Sequence, residues 1–286
     1  MALWLSRNKP NVDLFLHDLI EQIIELMKDG VIIFIGNREI QVSVKIGFFV
    51  SDLPAKSLFL KFINFNGYFA CVQCHSEGEW IKRQVIYPYA KNDYTPRTHQ
   101  QYIATAKRAA AKSSGGRSSA GIDGIKGLSS LIKVIEFPQQ VILDFMHQIC
   151  LNHVPNLIRR WNGQLNGTSK TDIDSTLAAI PHNVHVVYIH SISQINDWKA
   201  KHSRLFVNNI GLPVVVPHLP KIYSSPFAIY SMLSKMLHSE EEIKLAERLI
   251  HFYCRTAADI HDPTIELFSL HSQLHLPAQV RAHGGD

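Results

Sequence analysis

Two pairs of metal-binding side chains, set far apart in the chain, constrain its folding more than any other feature. Cys71-Val72-Gln73-Cys74 lies in the first third and His271-Ser272-Gln273-Leu274-His275 near the far end. Zinc takes thiolate and imidazole ligands tetrahedrally; a Cys-x-x-Cys turn can aim two sulfurs at one ion, and His residues four apart share a helix face. If both pairs serve one ion, the chain must bring its early turn to its late helix. Spacing alone leaves alternatives open. A Cys-x-x-Cys also serves redox chemistry, and sixteen His supply accidental His-x-x-x-His pairs. His75, directly after Cys74, is a rival ligand.

The chain has 286 residues, 46% of them hydrophobic, enough to bury one large core or two smaller ones. Four cysteines, two in one turn and two (Cys150, Cys254) within apolar helical patterns, do not make a secreted disulfide framework, so a reducing compartment is expected. No signal peptide is recognisable in Met1-Ala2-Leu3-Trp4-Leu5, and no apolar run approaches membrane-spanning length. No membrane partner is expected. The net charge of +5 is modest, but Arg97, Lys107, Arg108, Lys112, Arg117, Lys126 and Lys133 face only Asp123 in their segment. That stretch, around Ser113-Ser114-Gly115-Gly116-Arg117, reads either as a basic loop that follows DNA phosphates or as a solvated linker.

Hydrophobic periodicity predicts an amphipathic helix over Val12–Met27, with Leu14, Phe15, Leu19, Ile20, Ile23, Ile24 and Met27 on one stripe and Gly30 ending it. A β-hairpin follows, Val31–Ile35 against Glu39–Val50, whose second strand delivers Asp52 at its end. Pro54 opens a helix to Phe62, and another is expected over Thr98–Lys112. A helix from Asp144 to Trp161 is expected to be distorted near Pro155, and Ser239-Glu240-Glu241-Glu242 starts a strong helix running to about Cys254.

In order along the chain, several short motifs resemble one family. They are Ser51-Asp52-Leu53-Pro54-Ala55-Lys56, Phe65-Asn66-Gly67-Tyr68-Phe69-Ala70-Cys71 with Cys74, Tyr87-Pro88, Arg97-Thr98-His99, Gly124-Ile125-Lys126-Gly127, Asp144-Phe145-Met146-His147, Asp197-Trp198-Lys199-Ala200 and His271 with His275-Leu276. Together they resemble the transposase-domain proteins of animal genomes, relatives of the CACTA-type DDE transposases. The resemblance implies an α+β (mixed α/β) chain with a partial RNase H-like catalytic core and a large helical insertion. Residues 1–161 would form the partial core with the zinc turn and basic loop. Residues 162–286 would form a mainly helical insertion returning to the core through the His pair.

The resemblance further implies nuclear DNA transposition, with Mg or Mn held by acidic residues to activate the attacking oxygen of phosphodiester chemistry. Asp52 matches the family's second acid, and Asp144 with His147 matches a signature between the second and third acids. Asp144 reads equally as a helix N-cap. In the V(D)J recombinase and its transposon relatives, a Cys-x-x-Cys after the second acid binds zinc with two His before the third. By that analogy Cys71, Cys74, His271 and His275 hold a structural zinc ion, and the resemblance to transposases implies a homo-oligomer. The chain departs from the family where it matters for catalysis. No substitute for the first acid stands in the first thirty residues, and the third is not found after His275. A truncated, catalytically inactive transposase fragment is therefore expected. The alternative is a domesticated zinc-stabilised DNA- or protein-binding module. A zinc hydrolase reading is the weakest, because no Glu lies between His271 and His275 to act as general base.

Overall fold

The computed structural model describes residues 7, 10–91, 94–113, 121–180, 189, 191–233 and 239–284, whose contacts group into two units. Unit 1 comprises Met1–Ser76 and Asp93–Ile142; unit 2 comprises Glu77–Asn92 and Leu143–Asp286. Position 161/162, where the sequence places its division, falls at the end of a helix of unit 2.

Unit 1 opens with helix α1, Val12–Asp29. The Asn11 side chain accepts hydrogen bonds from the Asp13 and Leu14 N–H groups, and Gly30 ends the helix at φ 69°, a conformation glycine adopts without strain. The buried stripe is Val12, Leu16 and Ile20, with Phe15, Ile23 and Ile24 packed beside it. Leu14, Leu19 and Met27 are exposed, which corrects the expected stripe. The sequence window contains more apolar positions than one helix face can hold, so periodicity alone did not select the buried set. Strands β1 (Val31–Ile35) and β2 (Arg38–Val42) form the expected antiparallel hairpin. Both of its faces are exposed, Phe34 by 72%.

The second strand ends at Val42 rather than Val50, so Asp52 does not close it. Phe49 instead makes a single parallel bridge to Val141, with its N–H donating to Gln140 O (2.6 Å) and its carbonyl accepting from Ile142 N (3.1 Å). Helix α2 (Leu53–Phe59) follows, with Pro54 in its first turn. Helix α3, His99–Ser113, starts with a reciprocal cap: the Gln101 N–H donates to Thr98 Oγ1, and the Thr98 N–H donates to Gln101 Oε1. The core of unit 1 joins the α1 stripe to Leu60, Phe62, Tyr102, Ile125 and Phe137. Tyr102 stacks on Phe137 with centroids 4.0 Å apart. Its buried hydroxyl donates to Leu60 O and accepts from Ser129 N, and burial pushes it up to about 12.

In unit 2, β3 (Glu79–Ile81) and β4 (Gln84–Ile86) form a short hairpin that turns through Lys82 and Arg83, both at positive φ. The helix expected over Asp144–Trp161 is two segments, a π-helical run Met146–His153 continuing into α4, Val154–Asn162. Pro155 has no N–H to donate, and the widened turns just before it absorb the mismatch. Helices α5 (Gly167–Ala179), α6 (Ala200–Leu205), α7 (Gly211–Val215), α8 (Lys221–Leu233) and α9 (Glu240–His261) complete the layer around Trp161, Phe206, Phe227 and Tyr253. Ser239 caps α9 through the Glu242 N–H as the sequence predicts, although the helix runs past Cys254 to His261. Two short helices, α10 (Phe268–His271) and α11 (Leu276–His283), flank a 3-10 turn at Ser272–His275.

The fold is α+β, dominated by helix. Among the described residues the strands form two two-stranded sheets, and no helix is long and apolar enough to cross a membrane.

Candidate metal centre

The Cys71–Cys74 turn is built by its own backbone and by one arginine. Arg97, expected from the sequence to face DNA, is only 2% exposed and is committed inside unit 1. Its Nε–H donates to both Cys71 O (3.0 Å) and Cys74 O (2.9 Å). Its two terminal nitrogens grip Asp123, at 2.7 Å to Oδ2 and 3.1 Å to Oδ1. The Arg97 N–H donates to Gln73 O, and Cys74 pairs with Pro96 in an isolated bridge, so the 95–97 segment runs alongside the turn.

Asp123 is delivered by a tight turn in which Ile122 and Ile125 exchange both backbone hydrogen bonds, with Asp123 (φ 51°) and Gly124 (φ 78°) between them. Positive φ at both central positions is what an Asp-Gly hairpin turn supplies. His75, the rival zinc ligand, has its Nδ1 on Asp123 Oδ2 at 2.8 Å.

Both sulfurs are buried, and Cys74 Sγ lies 3.1 Å from Ser76 Oγ. Burial would push the Cys71 thiol up. Hydrogen bonds from Cys74 and from the Cys74 and Gln73 backbone, with the charge of Arg97, outweigh it and hold the thiol below its ordinary value. The remaining cysteines are the opposite case. Burial pushes Cys150 up to about 11 and Cys254 higher still, so both are inert core thiols.

In unit 2 the imidazoles are held by aromatic packing. His271, nearly fully buried, stacks on Tyr87 with centroids 5.0 Å apart, and meets His275 edge to face at 5.3 Å. Tyr87 is itself fixed, its N–H donating to Glu266 O (2.6 Å) while the Tyr89 N–H donates to Glu266 Oε1 (2.7 Å). The two His residues do not share one α-helical face, as the spacing suggested: His271 ends α10 and His275 ends the 3-10 turn after it.

Cys71, Cys74, His271 and His275 each offer one ligand atom, and these four atoms lie within 4.8 Å of one another. It is the one group of three or more His, Cys, Asp or Glu able to hold a metal ion among the described residues. A tetrahedral ion at about 2.3 Å from sulfur and 2.0–2.1 Å from nitrogen sets its ligands roughly 3.3–3.8 Å apart. Two sulfurs and two imidazole nitrogens, mostly buried, are the donor set of a closed structural zinc site.

The other residues singled out from the sequence are placed elsewhere. Asp52, half-buried, caps α2: its Oδ1 accepts from Ala55 N at 2.7 Å. Lys56, one turn on, is buried and donates through Nζ to Ile142 O (2.7 Å). Asp144 is both cap and partner, accepting from His147 N at 3.2 Å and pairing with His147 Nδ1 at 2.5 Å. Lys107, Arg108 and Lys112 are exposed along α3, and Lys126 is exposed beyond the Asp-Gly turn. Arg117 and the Ser/Gly stretch at 114–120 lie outside the described residues. Sequence reasoning missed Asp123, Tyr87 and Glu266 as supports of the donor set. The Asp-Gly dipeptide between two isoleucines was the available signal for the first.

Comparison with known protein families finds none that matches, and comparison with curated proteins also finds no match.

Proposed function

We propose that this chain is part of the core of a cut-and-paste DNA transposase of the DDE type, in which Cys71, Cys74, His271 and His275 hold one structural zinc ion. The gathering of these four donors carries the reading. Their order, a Cys-x-x-Cys following Asp52 and a His pair late in the chain, is the order of the zinc-bearing recombinases that the motifs resemble. Asp52 is the position that resembles the family's second acid, and Asp144 with His147 resembles the signature between the second and third acids.

The chain by itself binds DNA without cutting it. Asp52 and Asp144 are engaged in capping and in the His147 pair, and among the described residues neither belongs to a group of three or more metal-type ligands. A two-metal phosphodiester centre working with Mg or Mn needs several carboxylates to place its ions. The exposed Lys107, Arg108 and Lys112 on α3 favour a second reading, a domesticated zinc-stabilised DNA-binding module without catalysis.

Duplex DNA binding and nicking test both readings together. Binding should be weak and fall with salt at a log–log slope of about −3, from three phosphate contacts, with no nicking in magnesium or manganese. Nicking that vanishes in Asp52→Ala would overturn the inactive reading and select an active transposase core. Absence of any DNA binding at low salt would sink both readings.

A further inference from the structure

The buried guanidinium of Arg97 fits no DNA-binding role, and its geometry is unusual in serving both ends of one metal-ligand turn. We propose that Arg97 is a positioning residue for zinc: locked by Asp123, its Nε–H clamps the Cys71 and Cys74 carbonyls and so fixes the directions of both thiolates. This rests on the reading of Cys71, Cys74, His271 and His275 as a zinc site.

Four observations converge. One N–H is shared between the two cysteine carbonyls at 3.0 and 2.9 Å, which ties the first and last residues of the turn to a single point. That point is immobilised from behind by the two-pronged grip on Asp123, a geometry that a planar guanidinium supplies and an ammonium does not. The guanidinium carbon lies 5.2 Å from the centroid of the Phe62 ring, which closes one face. Asp123 in turn sits on the Asp123–Gly124 turn, where a Cβ on Gly124 would come within 2.0 Å of Phe69 O, so the carboxylate has little room to drift.

Charge counting separates positioning from simple electrostatic attraction. Zinc with two thiolates and two neutral imidazoles is neutral, and Arg97 with Asp123 is also neutral. Arg97 paired with Asp123 adds no net charge to the loaded site, and Arg97→Lys, which keeps the cation, isolates the directional part of its effect. Supports of this kind typically contribute a factor of 10 to 100 in metal affinity.

The test titrates cobalt(II), then zinc in competition with a chelator of known affinity, into the parent chain, Asp123→Asn and Arg97→Lys. Asparagine tolerates the positive φ of position 123 but loses the charge; lysine keeps the charge but loses the fork. Melting of each chelator-treated protein is followed in parallel. The expected result is a parent spectrum with thiolate-to-cobalt charge transfer. Both variants should show a 10- to 100-fold loss of zinc affinity and an altered charge-transfer band, even where the metal-free chain melts as the parent does. If the variants melt lower yet bind zinc and cobalt as the parent does, with the same band, Arg97 is a fold brace only and the proposal is overturned. A parent chain lacking the thiolate–cobalt band would remove the zinc reading, and this one with it.

Discussion

His153 shows how one buried side chain sets a condition for the whole of unit 2. It is fully buried, shares a 2.9 Å hydrogen bond with the Tyr253 hydroxyl, and packs edge to face against Tyr230. Burial, with the nearby His261 and Arg160, lowers its ring to about 3 from the usual 6.5. The unfolded chain therefore takes up a proton here below about pH 6.5 while the folded ring stays neutral, so stability is full above that pH and is lost as pH falls toward 3. At pH 5 the loss from this one group is roughly 2 kcal/mol. His261, lowered to about 4 by burial first and Arg160 second, acts in the same direction. Denaturant unfolding of the chelator-treated chain between pH 7 and 4 should show a slope shallower in His153→Gln by about 1.4 kcal/mol per pH unit. Equal slopes would mean that the ring is solvated or already charged in the folded chain.

Elements were legible in the sequence where a local signal named them, and illegible where a distant partner decided. The Ser239 cap, the Gly30 stop and the first hairpin were readable because each rests on residues a few positions apart. The end of β2 was not, since Glu39–Val50 stays β-rich well past the last pairing residue, Val42. Motif and spacing named the two ligand pairs, and only the order shared with the recombinases joined them into one set, while Arg97 was misread as a surface cation because only Asp123, distant in sequence, reveals it as buried. The Asp123–Gly124 turn yields a direct test. In Gly124→Ala the new methyl meets Phe69 O and the backbone is held at φ 78°, so unit 1 should lose at least about 2 kcal/mol. Zinc affinity should weaken with it, because Asp123 moves. Parent-like stability would show that the turn relaxes freely and does not hold Asp123 in place.

For the molecule as a whole, the proposed closed zinc site would make metal a component of folding. Ligands that bind only the folded chain add their binding free energy to its stability, about 4 kcal/mol at a thousandfold excess over Kd. Chelation should therefore lower the melting temperature by roughly 10 °C, and adding zinc back should restore it. No change, with metal removal verified by elemental analysis, would deny zinc a structural role. The basic face of α3 and the aromatic cores of both units do not depend on that ion, so chelated protein should keep its helical circular dichroism at low temperature. Zinc-edge X-ray absorption on the zinc-loaded chain measures the ligand set itself. Two sulfurs near 2.3 Å and two imidazole nitrogens near 2.0 Å are the expected shell, whereas a shell of oxygen and nitrogen alone, or of sulfurs without imidazole, would contradict Cys71, Cys74, His271 and His275 as the site.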